Sequence, residues 1–148
     1  MEVVEMTVKL SIIVPVYGVE KYLDIFFKSL TPDLIKGVEV ILVDDGSKDN
    51  GGLIIDNYQR EHAEYVKVFH KKNGGVSTAR NAGLRLAKGE YIAWADPDDY
   101  ISSNYTQTII KSLLQFEEPD MLFFDYYECY SKAKKIVRTT DYNSVLVE

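Results

Sequence analysis

Apolar, β-branched runs alternate with segments of helical period from residue 9 to residue 127, and that alternation leaves few folds open. "KLSIIVPV" (9–16) is uninterrupted, the pattern of a strand buried on both faces. "EKYLDIFFKSL" (20–30) sets Tyr22, Leu23, Phe26, Phe27 and Leu30 at helical spacing before Pro32. "VEVILV" (38–43) predicts a second strand, and the turn cluster "DDGSKDN" can cap a helix through about His62. "YVKVFH" (65–70) predicts a third strand and "VSTARNAGLRLA" (76–87) a helix with Gly89 as its C-terminal stop. "YIAWA" (91–95) reads as a buried fourth strand. A helix over about 103–116 and a fifth strand, "DMLFFDYY" (120–127), follow. Strictly alternating elements imply one α/β domain over 1–148, a mostly parallel sheet with helices on both faces.

In such sheets ligands bind beyond the carboxyl ends of the strands. Past those ends lie Pro15 to Glu20, then Asp44 and Asp45, then Asn73 to Arg80, then Asp96 to Asp99. Loops that converge on one edge can make one site. Asp96 and Asp98 are two apart, so an extended backbone turns both carboxylates to the same side, and Pro97 biases Asp96 toward that conformation. Such a pair suits a hard divalent cation that completes its shell with water and phosphate oxygens. The bland reading is a solvated turn, and Asp99 is read as a helix-capping or loop-bracing residue pointing away. Asp45 is assigned to a ligand and Asp44 to structure, although either can serve as an N-cap. Tyr17 offers a face for stacking or simply packs; Glu20 suits a first helical turn. "NGGVSTARN" puts two glycines before a helix N-terminus that favours anions, with Arg80 one turn inside. His62 and His70 show no metal-ligand spacing and read as surface residues. Lys132, Lys134, Lys135 and Arg138 read as a solvated basic edge.

Composition narrows the partners. A net charge of −6 argues against a nucleic-acid surface. Cys129 is the only cysteine, so no internal disulfide can form. "MEVVEM" carries acids where a secretory leader carries Lys or Arg, and no apolar run reaches the roughly 18 residues of a membrane span. A cytoplasmic location is expected, with peripheral membrane contact left open.

"SIIVPVYGVEKYL", "VEVILVDDGSKD" and "NGGVSTARNAGLRLAKGEYIAWADPDD" together resemble the family 2 glycosyltransferases, enzymes of GT-A fold, over about residues 9 to 100. The resemblance implies a nucleotide-diphospho-sugar donor, a UDP-sugar by preference, and inverting transfer to a hydroxyl acceptor: a saccharide, a lipid-linked saccharide or a protein. It implies that Pro15, Val16 and Tyr17 line the base with Glu20 nearby, that Asp45 holds the base edge, and that Arg80 helps close the nucleotide pocket. It makes Asp96 and Asp98 the family's DxD pair, with Asp98 the direct ligand of Mg²⁺ or Mn²⁺ and Asp96 close to ribose or metal. Gly18 departs from the pattern, which often has Asn there.

Rival readings fit less well. A phosphoaspartyl hydrolase expects its DxD on an early strand and a hydroxyl residue where Tyr100 stands. A receiver domain does not place Pro15 and Tyr17 after its first strand. An EF-hand loop needs glycine at the position of Ile101. A non-catalytic nucleotide-sugar-binding module remains the alternative, because no acid after Asp99 stands in a context resembling the family's catalytic base. The chain is therefore expected to be a donor-binding portion that binds nucleotide, transfers sugar poorly and self-associates.

Overall fold

This computed structural model describes residues 7–117, 119–124, 126–130 and 133–137. The chain divides into two compact units, Met1–Ser112 and Leu113–Glu148. In the first, β1 (Leu10–Val16), α1 (Glu20–Leu30), β2 (Val38–Asp44), α2 (Gly51–Glu61), β3 (Val66–His70), α3 (Val76–Leu86) and β4 (Tyr91–Trp94) follow in order; α4 (Tyr105–Gln115) spans the boundary. Each lies within two residues or so of the span its periodicity predicts, since both faces of β1 and β2 are buried and leave little freedom of assignment.

All pairings in the sheet are parallel, in the order β3-β2-β1-β4. Gly83 of α3 lies on Ile13 of β1, and Ala79 and Ala82 pack with Ile41 and Val43 of β2. The odd positions of β1 and β2 therefore face α3. Their even neighbours Ile12, Val14, Val40 and Leu42 are equally sealed, so they need cover on the opposite face. There α1 and α2 lie side by side, the rings of Phe27 and Tyr58 stacked with centroids 3.8 Å apart. The chain steps from β1 to β2 to β3 in one direction and then jumps to the far side of β1. With right-handed crossovers, that reversal moves α3 to the other face. It also puts a topological switch point between β1 and β4, where a crevice opens at the carboxyl edge.

Pro15 costs this sheet nothing. The Ile13 carbonyl accepts from Ala95 N–H at 3.1 Å on the β4 side. Two residues on, the proline nitrogen faces that same side, past the last pair, Ile13 with Trp94. The missing donor leaves the crevice unbridged.

Three expectations need correction. β4 is not buried on both faces: it is the edge of the four-stranded sheet, and Ile92 and Trp94 are exposed. The fifth strand is not 120–127. Residues 121–124 form no strand, and β5 (Tyr126–Tyr130) pairs antiparallel with β6 (Ala133–Val137) in a separate two-stranded sheet. Gly89 is not the stop of α3, which ends at Leu86 with Ala87 already extended. Gly89 instead passes so close to β1 that a Cβ would stand 2.5 Å from the Ser11 nitrogen. No described helix is long and apolar enough to cross a membrane.

Candidate functional site

Because the strands run parallel, the segments after β1, β2, β3 and β4 emerge along one edge. After β1, Val16 is fully buried and Pro15 partly so, while Tyr17 is 47% exposed. A base could therefore meet the Tyr17 ring but not the Val16 side chain. The Val16 carbonyl serves elsewhere, accepting from Asp45 N–H at 2.9 Å. Gly18 has φ +66 with open space where a Cβ would go. Asn tolerates that left-handed backbone better than most residues, so an Asn side chain would fit this turn without a clash.

Past β2 the two aspartates part. Asp44 accepts from Ser47 N–H at 2.8 Å and pairs with Nδ1 of His70 at 2.9 Å. Nε2 of His70 pairs with Asp56 on α2 at 2.9 Å. Burial works against ionisation of Asp44, but His70 and Ser47 outweigh it and hold the carboxyl below its ordinary range. His70 is thus no idle surface residue; it pins β3 to β2 and α2.

Asp45 is almost completely enclosed. It accepts from Lys71 Nζ, from Gly74 N–H at 3.0 and 3.2 Å, from Gly75 N–H at 2.7 Å and from Asn73 Nδ2 at 3.3 Å. Burial raises its pKa, and these donors, Lys71 first, more than reverse that. Asp45 therefore takes the N–H groups of Gly74 and Gly75, the two residues just ahead of α3. A carboxylate offers about four lone-pair sites, so a base N–H would share Asp45 with the loop, displacing the long Asn73 contact first. Gly46, at φ +72, lets this loop close: a Cβ there would lie 2.9 Å from Asn73 N.

Glu20 is also engaged within the chain. It accepts from Asn50 N–H at 3.0 Å and Asn50 Nδ2 at 2.8 Å, while Asp49 accepts from Glu20 N–H at 3.1 Å and Gly51 N–H at 3.0 Å. Asp49 thus takes the first N–H of both α1 and α2, and Glu20 holds Asn50 just ahead of α2, an arrangement that neither segment shows alone.

Across the crevice, Arg80 donates from one terminal nitrogen to both oxygens of Asp96, at 2.9 and 3.1 Å, with its guanidinium 5.7 Å from the Trp94 ring. Its Nε is buried with no acceptor among the described residues. Asp98 is exposed and, among the described residues, makes no hydrogen bond or ion pair. Asp99 N–H closes a turn onto the Asp96 carbonyl at 3.0 Å, and α4 begins too far on for Asp99 to cap it. Nor does Asp99 stand clear of the pair. Burial, then Asp98 and Asp96, push its carboxyl upward. Negative charge is in excess along 96–99, and its donors are hard oxygens, which fits Mg²⁺ or Mn²⁺. Among the described residues no three acids, histidines or cysteines form a ready metal group. A hard divalent cation at such a turn would take one or two carboxylates and fill its shell with phosphate oxygens and water.

Comparison with known proteins bears on the family and the fold. A family model described as Glycosyl transferase family 2 matches residues 11–146. EpsJ of Bacillus subtilis, described as an uncharacterized glycosyltransferase, is 37% identical over 127 residues, 86% of this chain and 36% of its own length. Residues 1–349 of S. aureus TarS, solved in complex with UDP-GlcNAc, match with TM-score 0.66 at 33% identity, over 74% of this chain and 32% of that one. PcManGT, a mannosyltransferase from Pyrobaculum calidifontis in complex with GDP-Man and Mn²⁺, matches with TM-score 0.56 at 22% identity, over 61% and 27%, a likeness of fold. The chain spans about a third of the length of these relatives.

Proposed function

The chain belongs to glycosyl transferase family 2, and from that membership we propose that this sheet edge binds the nucleotide end of a UDP-sugar for inverting transfer to a hydroxyl acceptor. The observation that carries the reading is the Arg80–Asp96 pair beside the unpartnered Asp98, at the switch point between β1 and β4. Tyr17 stacks on the base. Pro15 and Val16 fix where Tyr17 leaves the sheet, and Asp45 holds the base wall while sharing an oxygen with the base N–H. Arg80, already aligned by Asp96 and Trp94, has donors left for phosphate. Asp98 holds Mg²⁺ or Mn²⁺, with Asp96 beside it; when bound, the cation neutralises charge on the departing diphosphate.

A positioned base must take the acceptor proton, and its absence typically lowers the rate about 10²- to 10⁴-fold. Asp44, Asp45, Glu20, Asp49 and Asp96 are all committed to partners in the chain. Asp98 is assigned to the cation and no acid after Asp99 stands in a context resembling the family's catalytic base, so the chain is proposed to bind nucleotide with metal and to turn over slowly. Calorimetry with UDP and with ADP, each with and without Mn²⁺, tests the reading on the native chain and Asp98→Ala. The native chain should prefer UDP and bind it more tightly with Mn²⁺. Asp98→Ala should lose the Mn²⁺ enhancement and keep its thermal stability. An enhancement that survives the substitution unchanged removes Asp98 from the site.

A further inference from the structure

On the α1 side of the acidic turn lies a shallow groove of only about 20 Å³, a surface for a ligand to lie across rather than enter, walled by Tyr22, Ile25 and Phe26 of α1 and by Pro97 and Tyr100, with Asp98 and Asp99 in its lining. Three of these side chains are large, apolar and open to solvent: Tyr100 is 63% exposed, Ile25 49% and Tyr22 39%. Scattered exposed apolar groups need no explanation. Two tyrosines and an isoleucine gathered round two carboxylates in one concavity do.

A pyranose matches this mixture. Its axial C–H face packs on an aromatic ring, and its hydroxyl rim donates to carboxylate oxygens, which only accept when ionised. The two rings differ in availability. The Lys21 ammonium sits 4.7 Å from the Tyr22 centroid, whereas Tyr100 has no ring, charge or hydrogen-bond partner among the described residues. The turn is held where the groove needs it: Ile101 N–H donates to Ser29 Oγ of α1 at 3.1 Å, and Thr106 is tied to buried Asp33 by N–H at 3.1 Å and Oγ1. Both walls are thus fixed to one body. The groove also shares Asp98 with the donor site, so an occupant stands next to the bond that breaks.

We propose that this groove is a pyranose subsite for the acceptor saccharide, with Tyr100 stacking on the sugar face and Asp99 receiving its hydroxyls. The assignment to the acceptor rests on the donor reading of Asp98; the groove itself does not.

The test uses the 148-residue chain and the methyl β-glycosides of glucose, galactose, mannose and N-acetylglucosamine as probes. Saturation-transfer NMR is recorded with and without UDP and Mg²⁺, on the native chain, Tyr100→Ala and Tyr100→Phe. At least one glycoside should receive saturation on its ring C–H protons. Tyr100→Ala should weaken its binding about 2- to 10-fold, and Tyr100→Phe should restore it. UDP affinity should stay within about twofold in both variants, since the donor reading assigns Tyr100 no nucleotide contact. A parallel titration compares UDP-GlcNAc with UDP. If Tyr100→Ala weakens only UDP-GlcNAc and free glycosides give no signal, the groove serves the donor sugar and the proposal is overturned. Silence from all four glycosides while UDP still binds overturns it as well. A Tyr100-dependent glycoside signal in a chain that binds no UDP keeps the sugar subsite and discards the donor reading instead.

Discussion

Both ring nitrogens of His70 meet carboxylates, Asp44 and Asp56, so the doubly protonated ring satisfies both at once. Those bonds, Asp44 first, lift its pKa above the ordinary 6.5 against an opposing effect of burial. A raised folded-state pKa gives stability that is fully present below 6.5 and is lost as pH rises through the folded value. Asp44 stays ionised throughout that window, because its own carboxyl is held low. The imidazole is 48% exposed, so solvent screening limits the effect to about 1 kcal/mol or less. His70→Gln should therefore lower the melting temperature more at pH 6 than at pH 8.5; an equal drop at both would remove the charged ring from the account. Nothing local in "VFHKKN" announces this role, because the partners of His70 lie 26 and 14 residues away. The same distance hid the enclosure of Asp45, whose donors stand in another loop. The spacing of Asp96 and Asp98 marked them as candidates, but the extended backbone assumed for a same-side pair is a turn here, closed by Asp99 N–H on the Asp96 carbonyl.

At the scale of elements, period and burial carried most of the fold. α1 and α3 came out of the sequence nearly residue for residue because each has one apolar face to bury. β5 did not, since "MLFFDYYECY" is apolar or aromatic almost throughout and holds no mark of where pairing begins. β4 misled because a short apolar run looks alike at a sheet centre and at an edge. How tightly α3 sits was likewise invisible. A Cβ on Gly83 would come within 2.3 Å of Ile13 Cγ2, and Ile13 is β-branched, hence stiff at χ1. Alanine at that position gains about 1 kcal/mol of helix propensity and meets overpacking of about 1–3 kcal/mol. Gly83→Ala should therefore be neutral to destabilising, by up to about 2 kcal/mol, in urea unfolding. A clear rise in the midpoint would show that α3 can lift away without cost. The far end of α3 is clamped too: buried Glu39 accepts from Ser11 Oγ at 2.7 Å and Lys88 N–H at 2.6 Å, and pairs with Lys67. Gly89 then donates its N–H to Ser11 Oγ at 2.8 Å.

For the molecule as a whole, the order β3-β2-β1-β4 sets two very different chain separations. Leu10 pairs with Val38 on one side and with Tyr91 on the other. Closing the longer loop costs about 1 kcal/mol more in chain entropy, and its strand contributes only four paired residues. In pulse-labelled hydrogen exchange during refolding, the amides of Val40 and Lys71, bonded to Tyr65 and Asp44, should be protected before those of Tyr91 and Ala95. Protection of all four in a single phase would contradict this order. A growing polypeptide meets the same asymmetry at the ribosome. Tyr17, Asp45 and the loop from Lys71 to Gly75 can be in place while Asp96 and Asp98 are still inside the exit tunnel. The edge proposed for the nucleotide is thus completed in the order of translation, and a nascent chain has the residues assigned to the base before it has the carboxylates assigned to the cation.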